Sequence, residues 1–522
     1  VYSPPLSIGN YGGEIDNWMW PRHTGDFSFL RAYVTPDGTG SEYNEENVPY
    51  KPEIWLKVAQ KPIEPGDLTF VVGFPGSTTR YRTSNSAAWN LIENYPFSID
   101  NFSSIIALAE ELTMDDPDGQ LKVANLTKGL ANAKKNYQGK VDGMIKTKYV
   151  ERKIKFEQEF TTWVNSTPET KKKYGHILGQ IQEQYKVIKK TKDRDNILGM
   201  FQGLSGTRTD AAFYAFLIAT EREKPEDERM PGFSPRLIDN LANGLQYTYN
   251  DYYEPFDKAM LVRTLKQVQK LPAGQRIESL DYILNQSDES IEFFVDEAYK
   301  NSKLDNLEYV VALFDKSSEE LKALNDPILN MMSNLYLYIE ENREMNNSFG
   351  TIVIDLRKQY IDALYEWKGS TLYPDANSTI RFTYGPVKGY TPQDAVWYEP
   401  ITTLKGVVEK NTGIMPFNAP EKLIKLYETR NFGQWADPEL KDVPIAFLHR
   451  CDITGGNSGS PVMNARGEVI GVCFDGNYEA MISDWQYDYE IQRTISVDIR
   501  YVLFITEKFA DAGFILKEMG VN

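Results

Sequence analysis

The spacing of hydrophobic and polar residues changes twice along the 522-residue chain. Residues 1–98 carry short alternating runs. Asp26-Phe27-Ser28-Phe29-Leu30-Arg31-Ala32-Tyr33-Val34 predicts a strand and Leu68-Thr69-Phe70-Val71-Val72-Gly73-Phe74-Pro75-Gly76 a second one ending in a turn, because successive side chains along a strand face opposite sides. Glycines and prolines punctuate residues 4–16, a loop pattern. Residues 99–368 change to longer periods rich in Lys, Glu, Ala and Leu. Here the pattern predicts helices over 122–165, 304–324 and 328–366. Strands return in residues 369–522. A hairpin is expected over 379–390, a strand over Val443-Pro444-Ile445-Ala446-Phe447-Leu448, and short and terminal helices over 420–430 and 499–519. Val462-Met463 and Val469-Ile470-Gly471-Val472-Cys473-Phe474 flank Asn464-Ala465-Arg466-Gly467-Glu468, which reads as a second hairpin. The expected organisation is α+β: a β-rich stretch over 1–98, an inserted helical domain over 99–368, and a second β-rich domain over 369–522.

Composition narrows the function classes. With 41% hydrophobic and 25% charged residues, the chain has the make-up of an ordinary soluble globular protein. Its net charge of −17 argues against a nucleic-acid partner, since phosphate contacts need a basic face. No run reaches the ~18–20 apolar residues of a membrane span. The 13% of aromatic residues fits aromatic-rich pockets or interfaces, and equally a tyrosine-rich surface. The two cysteines, Cys451 and Cys473, flank a serine-bearing turn; a disulfide and two buried thiols both remain open. Three histidines and two cysteines show no ligand spacing, so neither a metal nor another cofactor is expected.

That turn, Gly455-Gly456-Asn457-Ser458-Gly459-Ser460-Pro461, carries the candidate chemistry. Glycines let a backbone bend until its N–H groups converge beside a serine hydroxyl, as an oxyanion hole requires. On this reading Ser458 is a nucleophile and the N–H groups of Gly456 and Ser458 are oxyanion donors; the alternative is a plain glycine-serine turn closing a hairpin. A serine nucleophile needs a base and an orienting carboxylate. No histidine follows Ser458, which excludes the α/β-hydrolase order. His176 lies in a charged helical stretch and reads as a surface residue, His449 as a core or loop residue with a pocket residue as the alternative, and His23 as a local hydrogen-bonding group. Asp26, at the head of its strand, is the strongest carboxylate candidate, against the alternative of a turn-capping aspartate after Gly25.

Two segments then carry a family resemblance. Asp16-Asn17-Trp18-Met19-Trp20-Pro21-Arg22-His23-Thr24-Gly25-Asp26-Phe27-Ser28 and Asp452-Ile453-Thr454-Gly455-Gly456-Asn457-Ser458-Gly459-Ser460-Pro461-Val462 closely resemble bacterial dipeptidyl-peptidases of the 7 and 11 types, serine peptidase family 46. The likeness extends over essentially the whole chain. It implies a chymotrypsin-like double β-barrel, the first barrel incomplete here, with a large all-α domain capping the cleft. It also implies a homodimer in the periplasm or at the cell surface of a Gram-negative bacterium, and a peptide substrate with a free α-amino group. By position, Asp26 resembles the orienting aspartate and Ser458 the nucleophile. Asn17, Trp18, Asn132 and Asp475 resemble the residues that hold the substrate's α-amino group. The resemblance places the catalytic histidine in a segment upstream of Val1, so this chain alone is expected to be inactive. Acid-specific members carry an arginine where Gly476 stands, so the 7 type is expected, cleaving after a bulky aliphatic or aromatic second residue. The alternatives are an acid-specific dipeptidyl-peptidase, a chymotrypsin-type endopeptidase, a helical adaptor with a vestigial barrel, or a non-catalytic module that binds peptide N-termini.

Overall fold

A computed structural model describes residues 2–59, 61–284 and 288–521. Its contacts group into two compact units. One comprises Val1–Arg82, Asn136–Tyr149 and Thr371–Asn522; the other comprises Thr83–Lys135 and Val150–Ser370. The first unit carries the sheets and the second is helical.

In the first unit, β1 (Tyr33–Val34) and β2 (Val48–Pro49) form a small antiparallel ladder. The other strands are β3 (Leu68–Gly73), β4 (Arg381–Pro386), β5 (Ile401–Thr403), β6 (Pro444–His449), β7 (Pro461–Asn464), β8 (Val469–Gly476) and β9 (Thr494–Asp498). They form one seven-stranded sheet in the order β4-β3-β7-β8-β9-β6-β5. The sheet curls until β4 meets β6: Val387 bridges His449, the Arg450 N–H reaches the Pro386 carbonyl at 3.1 Å, and the Lys388 N–H reaches that of Leu448 at 3.2 Å. Val71, Val387, Phe447, Val462 and Ile470 fill the inside with the free thiols of Cys451 and Cys473, which form no disulfide.

Several expectations change here. β3, placed by its position within residues 1–98, pairs instead with β4 and β7. Residues 379–390 supply the single strand β4 rather than a hairpin, because the partner of Arg381–Pro386 is β3. The alternation after Asp26 forms no continuous strand. Phe29 makes one bridge to Tyr2, Leu30 is 77% exposed with no layer above it, and only Tyr33–Val34 enters a ladder. The β7–β8 hairpin forms as its pattern predicts. The terminal stretch divides into Ile499–Phe504, a wider turn over Ile505–Phe509 and Gly513–Glu518, separated from the last helix by Asp511 at φ +53°.

The helical unit begins at Thr83 and its first helix at Ser84, earlier than residue 99. The run over 122–165 is two helices, Pro117–Lys146 and Tyr149–Val164, because Lys148 turns the chain at φ +50°. The run over 304–324 is also two, Leu307–Leu313 and Ser318–Ala323, the second started by a reciprocal Ser317–Glu320 capping box. The stretch over 328–366 is one 42-residue helix, Pro327–Lys368. The Asp326 side chain accepts the N–H groups of Ile328 and Leu329 at its start, and Gly369 at φ +59° ends it. Phe216, Leu261, Met332 and Leu335 are among the side chains of this unit's main core.

Candidate active site

The serine turn is held open by its own neighbours. The Asn457 side chain is buried, and its Oδ1 accepts the Thr454 N–H at 3.2 Å while its backbone N–H returns to the Thr454 carbonyl at 3.1 Å. The Gly455 carbonyl accepts the Gly76 N–H at 2.7 Å, and the Gly459 N–H reaches the Cys473 carbonyl at 2.7 Å. Only glycine fits at 456: φ is +103°, and a Cβ would stand 2.4 Å from the Phe74 carbonyl oxygen. With the flanking amides tied down, the N–H groups of Gly456 and Ser458 donate to no protein acceptor among the described residues. Ser458 is exposed, and its Oγ donates to the Phe474 carbonyl at 3.4 Å.

Strand β8 links the serine to a second cluster. Its register against β9 shifts between Cys473 and Asp475, a bulge at Phe474 that turns two consecutive residues, Asp475 and Gly476, into buried positions. Asp475 Oδ2 accepts the Trp18 N–H at 3.2 Å and Arg22 Nη1 at 2.8 Å. Oδ1 accepts the Gly476 N–H at 3.0 Å. Burial pushes the Asp475 carboxyl above the usual carboxylate range, and Arg22 with the two N–H groups pulls it back. Each carboxylate oxygen can take about two hydrogen bonds. Oδ2 is filled, and Oδ1 keeps room for one further donor.

Arg22 is the residue that sequence reasoning missed. Buried itself, it also donates from Nε to Thr24 Oγ1 at 2.7 Å and from Nη1 to the Asp16 carbonyl at 2.8 Å, with its guanidinium 5.1 Å over the Phe474 ring. Its position inside the Asp16–Ser28 motif was the available signal; its partner, 453 residues away, was not. Trp18 adopts φ +60°, a strained conformation for a bulky residue, and is held there by the hydrogen bond to Asp475. A Cβ at Gly476 would lie 3.7 Å from the Trp18 ring and 3.2 Å from the Ala480 methyl, so glycine keeps this wall clear. Asn17, half-buried, donates to Glu14 Oε2 at 3.1 Å.

The structure thus brings together Ser458, Gly456, Asp475, Gly476 and Trp18, with Asn17 beside Trp18. Asp26 is exposed, directly after Gly25, whose tight fit against Tyr501 fixes the backbone there. Asn132 is exposed on the helix Pro117–Lys146. None of the three histidines bonds to Ser458 among the described residues. His449 is buried between Thr69 Oγ1 at 3.0 Å and Ser496 Oγ at 2.9 Å. His176 meets Gln359 at 3.1 Å on the surface, as its sequence context indicates. His23 is buried against Gly406 with Nδ1 unpartnered, so it is not the local hydrogen-bonding group that its position suggested.

The match to a family model described as Peptidase S46 covers residues 1–521. The chain belongs to that family. It is 35% identical over 534 residues to dipeptidyl-peptidase 7 of Phocaeicola vulgatus, covering 100% of this chain and 72% of that one. It is 32% identical over 549 residues to an Asp/Glu-specific dipeptidyl-peptidase of Shewanella putrefaciens, covering 99% and 74%. The crystal structure of Porphyromonas endodontalis DPP11 with the dipeptide Arg-Glu matches with a TM-score of 0.82 at 28% identity, covering 100% of this chain and 74% of that one. This family membership makes the protein a hydrolase of the dipeptidyl-peptidase type, a class that binds peptides.

Proposed function

We propose that Ser458 is the nucleophile of a serine exopeptidase that releases dipeptides with a bulky apolar second residue. The observation that supports this most directly is the convergence at Phe474 of an exposed serine turn with two idle N–H donors and a buried carboxylate beside a glycine. In this reading the Ser458 oxygen attacks the second carbonyl of the substrate, and the developing oxyanion accepts the N–H groups of Gly456 and Ser458. Asp475 Oδ1 takes the α-ammonium group, with Asn17 and Trp18 as neutral partners; a like role for Asn132 follows from the resemblance alone. Asp26 orients the base, a role that follows from the resemblance. His449 cannot be that base, since both its ring nitrogens are engaged in the core. The acyl-enzyme carrying the dipeptide is then hydrolysed by water.

The apolar preference draws support from Trp18 and Ala480 beside Gly476, and from the engagement of Arg22 with Asp475, which leaves it poorly placed to receive an acidic side chain. The names of the relatives divide between dipeptidyl-peptidase 7 and Asp/Glu-specific enzymes at similar identity, so specificity must be measured. We extend the proposal to a homodimer in the periplasm or at the cell surface, testable by light scattering and cell fractionation.

The deciding experiment measures kcat/KM of the full-length protein on peptides whose second residue is Leu, Phe, Asp or Glu, with and without N-acetylation. At least about 100-fold preference for Leu or Phe is expected, equivalent to about 2.7 kcal/mol in the barrier. Acetylated peptides should stay intact, and Ser458→Ala should abolish cleavage. Preference for Asp or Glu would establish the acid-specific reading instead. Binding without any cleavage would establish a non-catalytic module.

A further inference from the structure

The helical unit contains a cavity of about 580 Å³ between the helices Tyr95–Thr113, Lys192–Met200 and Glu254–Gln269. Arg263 lies on its wall. Its Nε donates to Ser104 Oγ at 2.8 Å, and Nη2 donates to the Asn101 carbonyl at 3.3 Å and to Asn101 Oδ1. All of these acceptors are neutral. Nη1 is buried and has no acceptor among the described residues. Burial is the one influence on this guanidinium, lowering its pKa to about 10 with no carboxylate opposing it. Arg263 is half-buried; among the buried arginines, Arg22 faces Asp475, Arg208 faces Glu254 and Arg500 faces Asp437 and Asp498, while Arg493 has every donor nitrogen on backbone carbonyls. A guanidinium stays charged at neutral pH, so a half-buried one that meets only neutral acceptors favours an anion beside it.

Three cavity-lining donors share one helical stripe: Arg263, Gln267 four residues on, and Lys270 at the helix end. Phe97, Ile197 and Leu271 supply an apolar wall. Asp100 and Asp193 also line the cavity, and their charge disfavours a dianion such as phosphate.

We infer that this cavity binds a small monocarboxylate with an apolar body, its carboxylate supplying the counter-charge that Arg263 lacks. A carboxylate accepts charge-assisted hydrogen bonds that are stronger than those of the neutral oxygens Arg263 now meets. The site is independent of the Ser458 turn and does not rest on the specificity proposed there.

Isothermal titration at low salt tests this, with N-acetyl-leucine, N-acetyl-leucinamide and inorganic phosphate as probes. These molecules lack an α-ammonium group, and a Ser458→Ala background removes turnover. The expected result is saturable binding of N-acetyl-leucine, at least about tenfold weaker binding of the amide, and at least about tenfold loss in Arg263→Gln. Lys270→Gln, at an exposed position, should weaken binding several-fold and serves if Arg263→Gln folds poorly. N-acetyl-leucine should also raise the melting temperature of the unmodified protein and not that of Arg263→Gln. Equal binding of the amide, undiminished binding in both variants, or phosphate binding as tightly as N-acetyl-leucine would each overturn the inference.

Discussion

Arg22 and Asp475 show how one buried ion pair can serve both structure and recognition. Each is almost fully buried, and each would be costly alone. Arg22 holds Oδ2 of the carboxylate, which leaves Oδ1 directed by the Gly476 N–H as the acceptor with spare capacity. Asp475→Asn is therefore expected to do two things. It strands the Arg22 charge, at a cost of about 3–5 kcal/mol in stability, and it removes the proposed anchor for the substrate ammonium. Combining it with Arg22→Met separates these effects. The double variant should regain most of the lost melting temperature, because no unpaired ion remains, while kcat/KM on free-N-terminal peptides stays depressed at least about 100-fold. Recovery of activity together with stability would remove Asp475 from the binding machinery.

The elements that sequence made legible are those whose causes are local. The β7–β8 hairpin follows from alternation on both sides of Asn464–Glu468, and the helix Pro327–Lys368 from its cap, its period and Gly369. What stayed hidden depends on distant pairing. Nothing near Leu68–Gly73 reveals that it lies between β4 and β7, and nothing near Phe474 reveals the bulge, which exists only relative to β9. Likewise Lys148 breaks a helical run by its backbone conformation alone, with no proline or glycine to mark it. The serine turn lies between these cases: its residues were readable, but the reason for Gly456 is the Phe74 carbonyl just past β3. Gly456→Ala should force that contact apart and swing its N–H away from the oxyanion. A fall in kcat of about 10²–10³-fold is expected, with KM changed much less, because the donor acts on the transition state. A loss confined to KM would mean that this N–H binds ground-state substrate instead.

For the molecule as a whole, two buried histidines link the fold to pH. Burial lowers the pKa values of both His23 and His449 to about 3. At His449 the hydrogen bonds fix the neutral tautomer. Thr69 Oγ1 gives its proton to the Gly385 carbonyl at 2.7 Å, so Nδ1–H must donate to Thr69, and Nε2 accepts from Ser496. A second ring proton would face a hydroxyl already committed as donor. Between about pH 3 and 6.5 the unfolded chain binds protons that the folded imidazoles refuse. Their contribution is therefore fully present above about 6.5 and is lost as pH falls, by up to about 1.4 kcal/mol per pH unit for each group. Buried carboxyls with raised pKa values, such as Asp257 and Asp452, oppose this trend, since their protonated forms suit the fold. A difference measurement removes them. Denaturant titrations of the unmodified protein and His449→Gln between pH 4.5 and 7.5 should give stability curves that converge on acidification. The variant, lacking the titrating ring, should have the shallower slope below about pH 6.5. Parallel curves would mean that His449 takes up its proton in the folded protein as readily as in the unfolded chain, against a ring held neutral by burial.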